Sequence, residues 1–282
     1  MTPPPIDAGI VGVTVGPLAC ALDARWIMAY AAAIGETDSR YYDTTARGGP
    51  LAHPLFPVCY EWPVAVALRV KTIEAALATL GVHALHDLTI HRPPRAGDSL
   101  RTSGRVTAVQ RRKRGVLVVS RYTTVDQSGV PVSTTDYGSV YRGVGLRGDD
   151  AGTVREATDG RLDGIRWTDD IDIAPHAAHV YTEGARIYNP IHTDIAVARA
   201  AGLPGLILHG TATLALAVSR VVAHDLGGDP TSVRGVAGRF TGMVTLPSRL
   251  TVRGRDGRAD GLAFEAVDPA GRLLLADGRV TR

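Results

Sequence analysis

Two short runs hold the residues whose types and spacing could do chemistry. In Tyr188-Asn189-Pro190-Ile191-His192-Thr193-Asp194 an imidazole stands in a turn just ahead of a helix signal. Eighteen positions on, the apolar run Leu206-Ile207-Leu208-His209 delivers Gly210 to the mouth of a second helix. An imidazole near its ordinary pKa gives or takes a proton at neutral pH. A backbone N–H at a helix N-terminus can hold a developing oxyanion, helped by the positive end of the helix dipole. Glycine at that point lets a carbonyl approach the main chain closely. By residue type alone, a histidine in such a turn is more often a surface or capping residue than a catalyst.

The elements that must position these groups are marked by local punctuation. Proline fixes its own φ and pushes Asn189 out of the helical region, so Asn189-Pro190 opens a turn. Asp194 is placed to cap a short helix over 195–201, stopped by Gly202 and Pro204. Asp23 precedes a helix over 24–34 that ends at Gly35, with Trp26, Ile27, Tyr30, Ala31 and Ile34 at helical spacing. A longer helical pattern runs from Trp62 to Leu80, entered through Pro63 and closed by Gly81. A third runs over 210–223. Strand-like runs occupy 100–109, 115–124, 130–142, 233–240, 250–254, 261–266 and 272–282.

The halves echo each other. Asp126-Gln127-Ser128-Gly129 and Asp268-Pro269-Ala270-Gly271 each join two strand-like runs through a turn in which glycine supplies positive φ. Upstream, Leu51-Ala52-His53-Pro54 loosely parallels Ile207-Leu208-His209-Gly210, with His53 opposite His209. The division is an N-terminal domain over 1–146, a Gly- and Asp-rich linker over 147–166, and a C-terminal domain over 167–282. Periodicity by itself gives an α+β class.

Composition sets wide bounds. The chain has 282 residues, 45% of them hydrophobic, and a formal net charge of +3; that is enough for one large domain or two ordinary ones. Arg111-Arg112-Lys113-Arg114, between two strand-like runs, reads as a solvated hairpin tip, with an anion patch as the sharper alternative. No nucleic-acid partner is expected without aromatic interleaving or a known module. Cys20 and Cys59 read as small core residues, with a bridge between them left open. The apolar runs are too short for a membrane span and no secretory pattern opens the chain, so a cytoplasmic protein is expected. The histidines lack metal-ligand grouping, and no metal or redox cofactor is implied.

The segment 188–194 with His209-Gly210 resembles the hydratase signature of the MaoC-like, (R)-specific enoyl-CoA hydratase family. Asn189, Pro190, Ile191, His192, Asp194 and the His209-Gly210 pair fall where that family has them. The first half is similar to its N-terminal dehydratase domain, through Arg40-Tyr41-Tyr42-Asp43, Leu51-Ala52-His53-Pro54-Leu55-Phe56, His91-Arg92-Pro93 and Gly97-Asp98. The resemblance implies a tandem (double) hot-dog fold, each half an antiparallel sheet wrapped around a helix. It also implies that the C-terminal half holds the chemistry while the N-terminal half helps form the acyl pocket.

The implied activity is enoyl-thioester hydration or 3-hydroxyacyl-thioester dehydration, with His192 as acid–base residue, Gly210 as oxyanion donor and Asn189 as organiser of the turn. Coenzyme A or an acyl carrier would enter only as part of an acyl-thioester substrate. A homodimer is compatible with a tandem chain but not required by it. Arg186, Tyr188 and His209 are candidate substrate-binding residues. For Arg186 an ion pair with Glu183 is the structural alternative, and for His209 a satisfied turn or core histidine.

One position departs from the signature. The family's catalytic aspartate, five residues before the histidine, is Ile187 here, and the glycine before it is Arg186. A different acid or phenol could complete the site: Glu183, Tyr181 or Tyr188 nearby, or Asp38, Asp43 or Glu61 from the other half. The reaction could instead need a single acid–base residue. A thioesterase on the same fold, or an acyl-thioester binding or assembly protein, are the alternative functions.

Overall fold

The computed structural model describes residues 3–154, 164–258 and 261–282. The first half runs β1 (Ile6–Asp7), β2 (Thr14–Ala21), α1 (Ala24–Ala33), a 3-10 turn (Ser39–Tyr41), α2 (Pro57–Thr72), β3 (Gly81–Ile90), β4 (Ser99–Arg112), β5 (Gly115–Val125), β6 (Pro131–Arg142) and β7 (Leu146–Arg147). The second half repeats the plan: β8 (Ile165–Ile173), α3 (Ala177–Ala185), a 3-10 turn (Pro190–His192), α4 (Ile195–Ala200), α5 (Gly210–Asp225), β9 (Gly235–Phe240), β10 (Ser248–Arg258), β11 (Gly261–Val267) and β12 (Leu273–Thr281).

Ten strands form one sheet in the order β2-β4-β5-β6-β3-β9-β12-β11-β10-β8. Read from either edge the order is equivalent, so an approximate two-fold relates the halves, with β3 and β9 antiparallel at its centre. This is the tandem hot-dog arrangement. On the inner face of the first half, α2 lays Val64 and Leu68 against Val106, Val118 and Tyr122. In the second half α5 buries Leu214 and Val218 among Leu250, Phe264 and Leu275. Burying each such leucine or phenylalanine contributes roughly 1.5–3 kcal/mol. The two short helices α1 and α3 cross between halves, so closely that a Cβ on Gly184 would collide with Ala33.

Local chemistry accounts for most element boundaries. Asp23 accepts a hydrogen bond from the Trp26 N–H at 2.7 Å and starts α1. Asp194 accepts from the N–H groups of Ala196 and Val197 and starts α4, which stops before Gly202 at φ 74°. In both hairpins the aspartate Oδ1 accepts from the backbone N–H groups two and four residues on, Asp126 from Ser128 and Val130, Asp268 from Ala270 and Arg272. Gly129 and Gly271 sit at φ 81° and 76° as the turns require.

The second helix departs from its expected bounds. It begins at Pro57, carries Pro63 inside it and ends at Thr72, and residues Ala75–Leu80 form a separate 3-10 segment. The run Val58-Cys59-Tyr60-Glu61 is buried and gains more from docking on the core than proline at 63 costs the helix. The expected linker also resolves differently. Leu146–Arg147 pairs with β1 and Ala151 bridges Val109, so residues to 154 belong to the first half. Ile165 and Arg166 already open β8, and the linker residues 155–163 lie outside the described residues. The basic tip 111–114 is exposed, with Arg111 on Asp150. Cys20 and Cys59 are free thiols. Among the described residues, no helix is long and apolar enough to cross a membrane.

Candidate active site

His192 closes the 3-10 turn that Pro190 opens, and Asn189 before it is extended at φ −127°, as a residue preceding proline prefers. The ring is 8% exposed. Its Nδ1 lies 2.9 Å from the carbonyl oxygen of Ile207. A carbonyl only accepts, so Nδ1 carries the proton and Nε2 is left with its lone pair. Burial lowers the pKa to about 4, against a smaller opposing effect of the Ile207 carbonyl. At neutral pH His192 is therefore an uncharged imidazole with a defined tautomer and one free acceptor.

His209 supports this ring from behind. The two imidazoles stack at 3.7 Å between centroids, and His209 Nε2 faces the Thr182 hydroxyl at 3.3 Å. Burial, with His192 adding to it, holds His209 well below the ordinary histidine range. His209 is also the N-cap of α5, without a side-chain cap bond, and Gly210 is the first helical residue. The first-turn amides of α5 have no intrahelical acceptor, so the Gly210 N–H is an open donor at the positive end of the helix dipole. An added Cβ would make close contacts there, 3.3 Å from Phe240 and 3.4 Å from His83 Nδ1.

One cavity joins these groups. His192, His209, Gly210, Asn189 and Ile187 line it from the second half. One face of α2 (Val58, Glu61, Trp62, Ala65, Arg69) lines it from the first. Ile187 is 4% exposed and presents an apolar wall. Two of the residues named from sequence do not line the cavity. Arg186 caps α3 in the left-handed region, φ 56°, where glycine is favoured. Its guanidinium lies 4.2 Å over the Trp26 ring and 3.9 Å from Asp23, so it ties α3 to the α1 end of the first half and pairs with Asp23 rather than Glu183. Tyr188 is 59% exposed, its side chain at the surface.

Of the six acids and phenols considered for the missing aspartate, Glu61 alone lines the cavity. Asp38 pairs with exposed Arg40, Asp43 caps its own turn through Thr45, and Glu183 is exposed. Tyr181 is buried with its hydroxyl donating to Thr211. Glu61 is 3% exposed, and its Oε1 accepts from Thr135 at 2.7 Å and from Ser133 at 3.3 Å. Burial raises its pKa to about 7, the two hydroxyls partly opposing. Sequence spacing gave no reason to prefer Glu61; only the packing of α2 across the sheet brings it here. His83, which walls Gly210, carried no signal at all.

The two-fold explains why the other half lacks an equivalent centre. In that half His53 and Pro54 line a separate pocket with Arg47, Arg95 and Arg234. There Tyr41 ends the 3-10 turn where His192 ends its own. Pro54 follows His53 where Gly210 follows His209, and proline has no N–H to offer an oxyanion. An acid does stand five residues before Tyr41, as Ile187 stands before His192. It is Glu36, engaged by the hydroxyl of Ser219 from α5 at 2.5 Å. The same hydroxyl lies 3.3 Å from His53 Nε2. With His53 matched to His209, Ser219 of α5 corresponds to Pro63 of α2, two positions from Glu61. Among the described residues there is no group of three potential metal ligands.

A family model described as "FAS1-like, dehydratase domain region" matches residues 9–135, and one described as "MaoC like domain" matches residues 164–263. Over 53 residues the chain is 45% identical to the peroxisomal enoyl-CoA hydratase 2 of Arabidopsis thaliana, covering 19% of this chain and 17% of that protein. Over 191 residues it is 27% identical to the enoyl-CoA hydratase ChsH3 of Mycobacterium tuberculosis, covering 63% of this chain and 62% of that one. The chain thus spans less than two thirds of the length of these relatives. A solved MaoC-like dehydratase from Phytophthora capsici superposes with a TM-score of 0.83 at 23% identity, over 96% of this chain and 95% of that one, a likeness of fold. Each half thus matches a dehydratase-type family model, the first the FAS1-like dehydratase region and the second the MaoC-like domain, and the double hot-dog sheet joins the two.

Proposed function

We propose that the protein is an acyl-thioester hydratase/dehydratase acting on trans-enoyl or 3-hydroxyacyl thioesters. In the hydration direction, His192 Nε2 takes a proton from a water whose oxygen bonds to Cβ. The thioester oxygen gains negative charge as the C=C electrons shift, and the Gly210 N–H holds it. Glu61, protonated, gives a proton to Cα, so one water is added across the double bond and the two residues exchange protonation states until a proton returns. Coenzyme A or an acyl carrier enters only as the thiol part of the substrate, and Asn189 orders the turn that aims His192.

The observation that carries this reading is that His192 and the α5 N-terminus line one cavity, with the imidazole neutral and its Nδ1 already committed to Ile207. A base with a free lone pair and a main-chain donor for the adjacent oxygen are the two requirements of enolate-type chemistry. Glu61 supports it as a carboxyl poised near neutrality in the same cavity, where Ile187 has no proton to give. The relatives named enoyl-CoA hydratase point to the same reaction class.

Incubation of the purified protein with crotonyl-CoA tests this. Loss of enoyl absorbance with the thioester retained is the expected result. Release of free thiol would instead make the protein a thioesterase on this fold. Binding of several CoA esters without any turnover would make it a binding or assembly protein.

A further inference from the structure

The cavity continues past Glu61 along α2. Residues 58, 61, 62, 65, 68, 69 and 72 repeat at helical spacing and all line it, so the chamber follows one helix face. Eight residues separate Glu61 from Arg69, or about 12 Å of helix. The near part is apolar (Val58, Ala65, Leu68), but around Arg69 the wall becomes polar, with Ser120, Ser139, Tyr137 and Tyr141 from β5 and β6. The end of the chamber beside Arg69 is thus chemically unlike the apolar end, and a polar or charged group suits it better than a hydrocarbon tail.

Arg69 is half-buried, and among the described residues no carboxylate pairs with it. Its guanidinium lies 5.6 Å over the Trp62 ring, which also lines the cavity. It acts electrostatically on the phenols of both Tyr137 and Tyr141, lowering them against burial. Tyr137 in turn stacks on His83 at 3.8 Å, and His83 walls Gly210. Gly210, His83, Tyr137 and Arg69 thus line one cavity, from the start of α5 to a cation that no carboxylate pairs with among the described residues. A guanidinium held over an aromatic ring at the polar end of a cavity is suited to a carboxylate or phosphate.

We propose that Arg69 is a specificity-determining residue that binds an anionic group of the thioester substrate. The anion is either a carboxylate on the acyl chain or a phosphate of the carrier. The inference rests on the acyl-thioester reading, and equilibrium binding separates the two because it needs no turnover.

Calorimetric titration of the wild-type chain and of Arg69→Met would use three non-reacting probes: butyryl-CoA, butyryl-pantetheine, which lacks the phosphates, and glutaryl-CoA. Losing a charge-assisted hydrogen bond to the ligand is expected to weaken binding roughly ten- to hundredfold. If the anion is an acyl carboxylate, Arg69→Met weakens glutaryl-CoA selectively and leaves butyryl-CoA unchanged. If it is a carrier phosphate, both CoA esters weaken while butyryl-pantetheine does not. Arg69→Lys, which keeps the charge, should recover part of the loss, and circular dichroism reports whether each variant is folded. Equal affinity of the folded Met variant and the wild type for all three probes overturns the proposal. Absence of hydratase turnover with these binding differences intact would overturn only the reaction.

Discussion

The rings of His192 and His209 lie face to face, 3.7 Å apart with their planes 25° from parallel. Burial keeps the His192 ring neutral, and burial together with the nearby His192 ring holds His209 well below the ordinary histidine range. His209 thereby serves twice: its ring backs His192, and its backbone places Gly210 at the start of α5. The proposed base and the proposed oxyanion donor are thus joined through a single residue.

Buried neutral histidines make the fold acid-sensitive. Burial lowers His53 to about 3 and both His86 and His192 to about 4. The unfolded chain, with ordinary histidines near 6.5, binds more protons than the folded one below that pH. Stability is therefore full above about 6.5 and is lost as pH falls towards 4. Shifts of this size are each worth on the order of 3 kcal/mol. Thermal unfolding followed from pH 7 to pH 4 should show a steep, multi-proton fall in Tm; a flat profile would contradict the burial of neutral rings.

Glu61 shifts in the opposite sense. Its folded pKa, about 7, exceeds the ordinary value of 4.5, so its contribution is present at low pH and is lost as pH rises through 7. Glu61→Gln keeps the acceptor for Thr135 and Ser133 but cannot exchange a proton. We expect kcat to fall by roughly 10²–10⁴ with KM little changed, and the alkaline limb near pH 7 to disappear from the rate profile. Ile187→Asp on that background should recover part of the rate if the two positions serve one proton. Unaltered turnover in Glu61→Gln would remove this residue from the mechanism.

Gly210→Ala separates function from folding. Alanine is well tolerated at a helix start, so Tm should stay within a few degrees. The added methyl meets Phe240 and His83 at 3.3–3.4 Å and intrudes where the thioester must approach. Turnover should drop by about tenfold or more. A variant as fast as the parent would place the oxyanion elsewhere.

Much of the frame was legible because short-range chemistry wrote it. Asp23 and Asp194 cap the helices they precede, and the Asp126 and Asp268 turns sit at matching places in the two halves. The repeat they announce is the two-fold of the sheet. The His192 turn and the Gly210 helix start were likewise readable, since proline and glycine restrict the backbone locally. What spacing could not show is contact between distant segments. Glu61 reaches the second-half pocket only because α2 starts at Pro57 and crosses the sheet; a helix begun at Trp62 would have left it in a loop. Arg186 offered either a substrate anion or Glu183 as its partner from sequence, yet it lies over Trp26, 160 positions away in the chain, and pairs with Asp23. No local pattern encodes that pairing.

The central claim is that a neutral His192, its Nδ1 held by Ile207 and its ring backed by His209, takes the proton from the attacking water. Steady-state turnover of crotonyl-CoA by His192→Ala, with circular dichroism and Tm on the same sample, tests it most directly. The account predicts a folded protein that still binds the thioester and has lost at least a hundredfold in kcat. A folded His192→Ala protein turning over at the parent rate would contradict it.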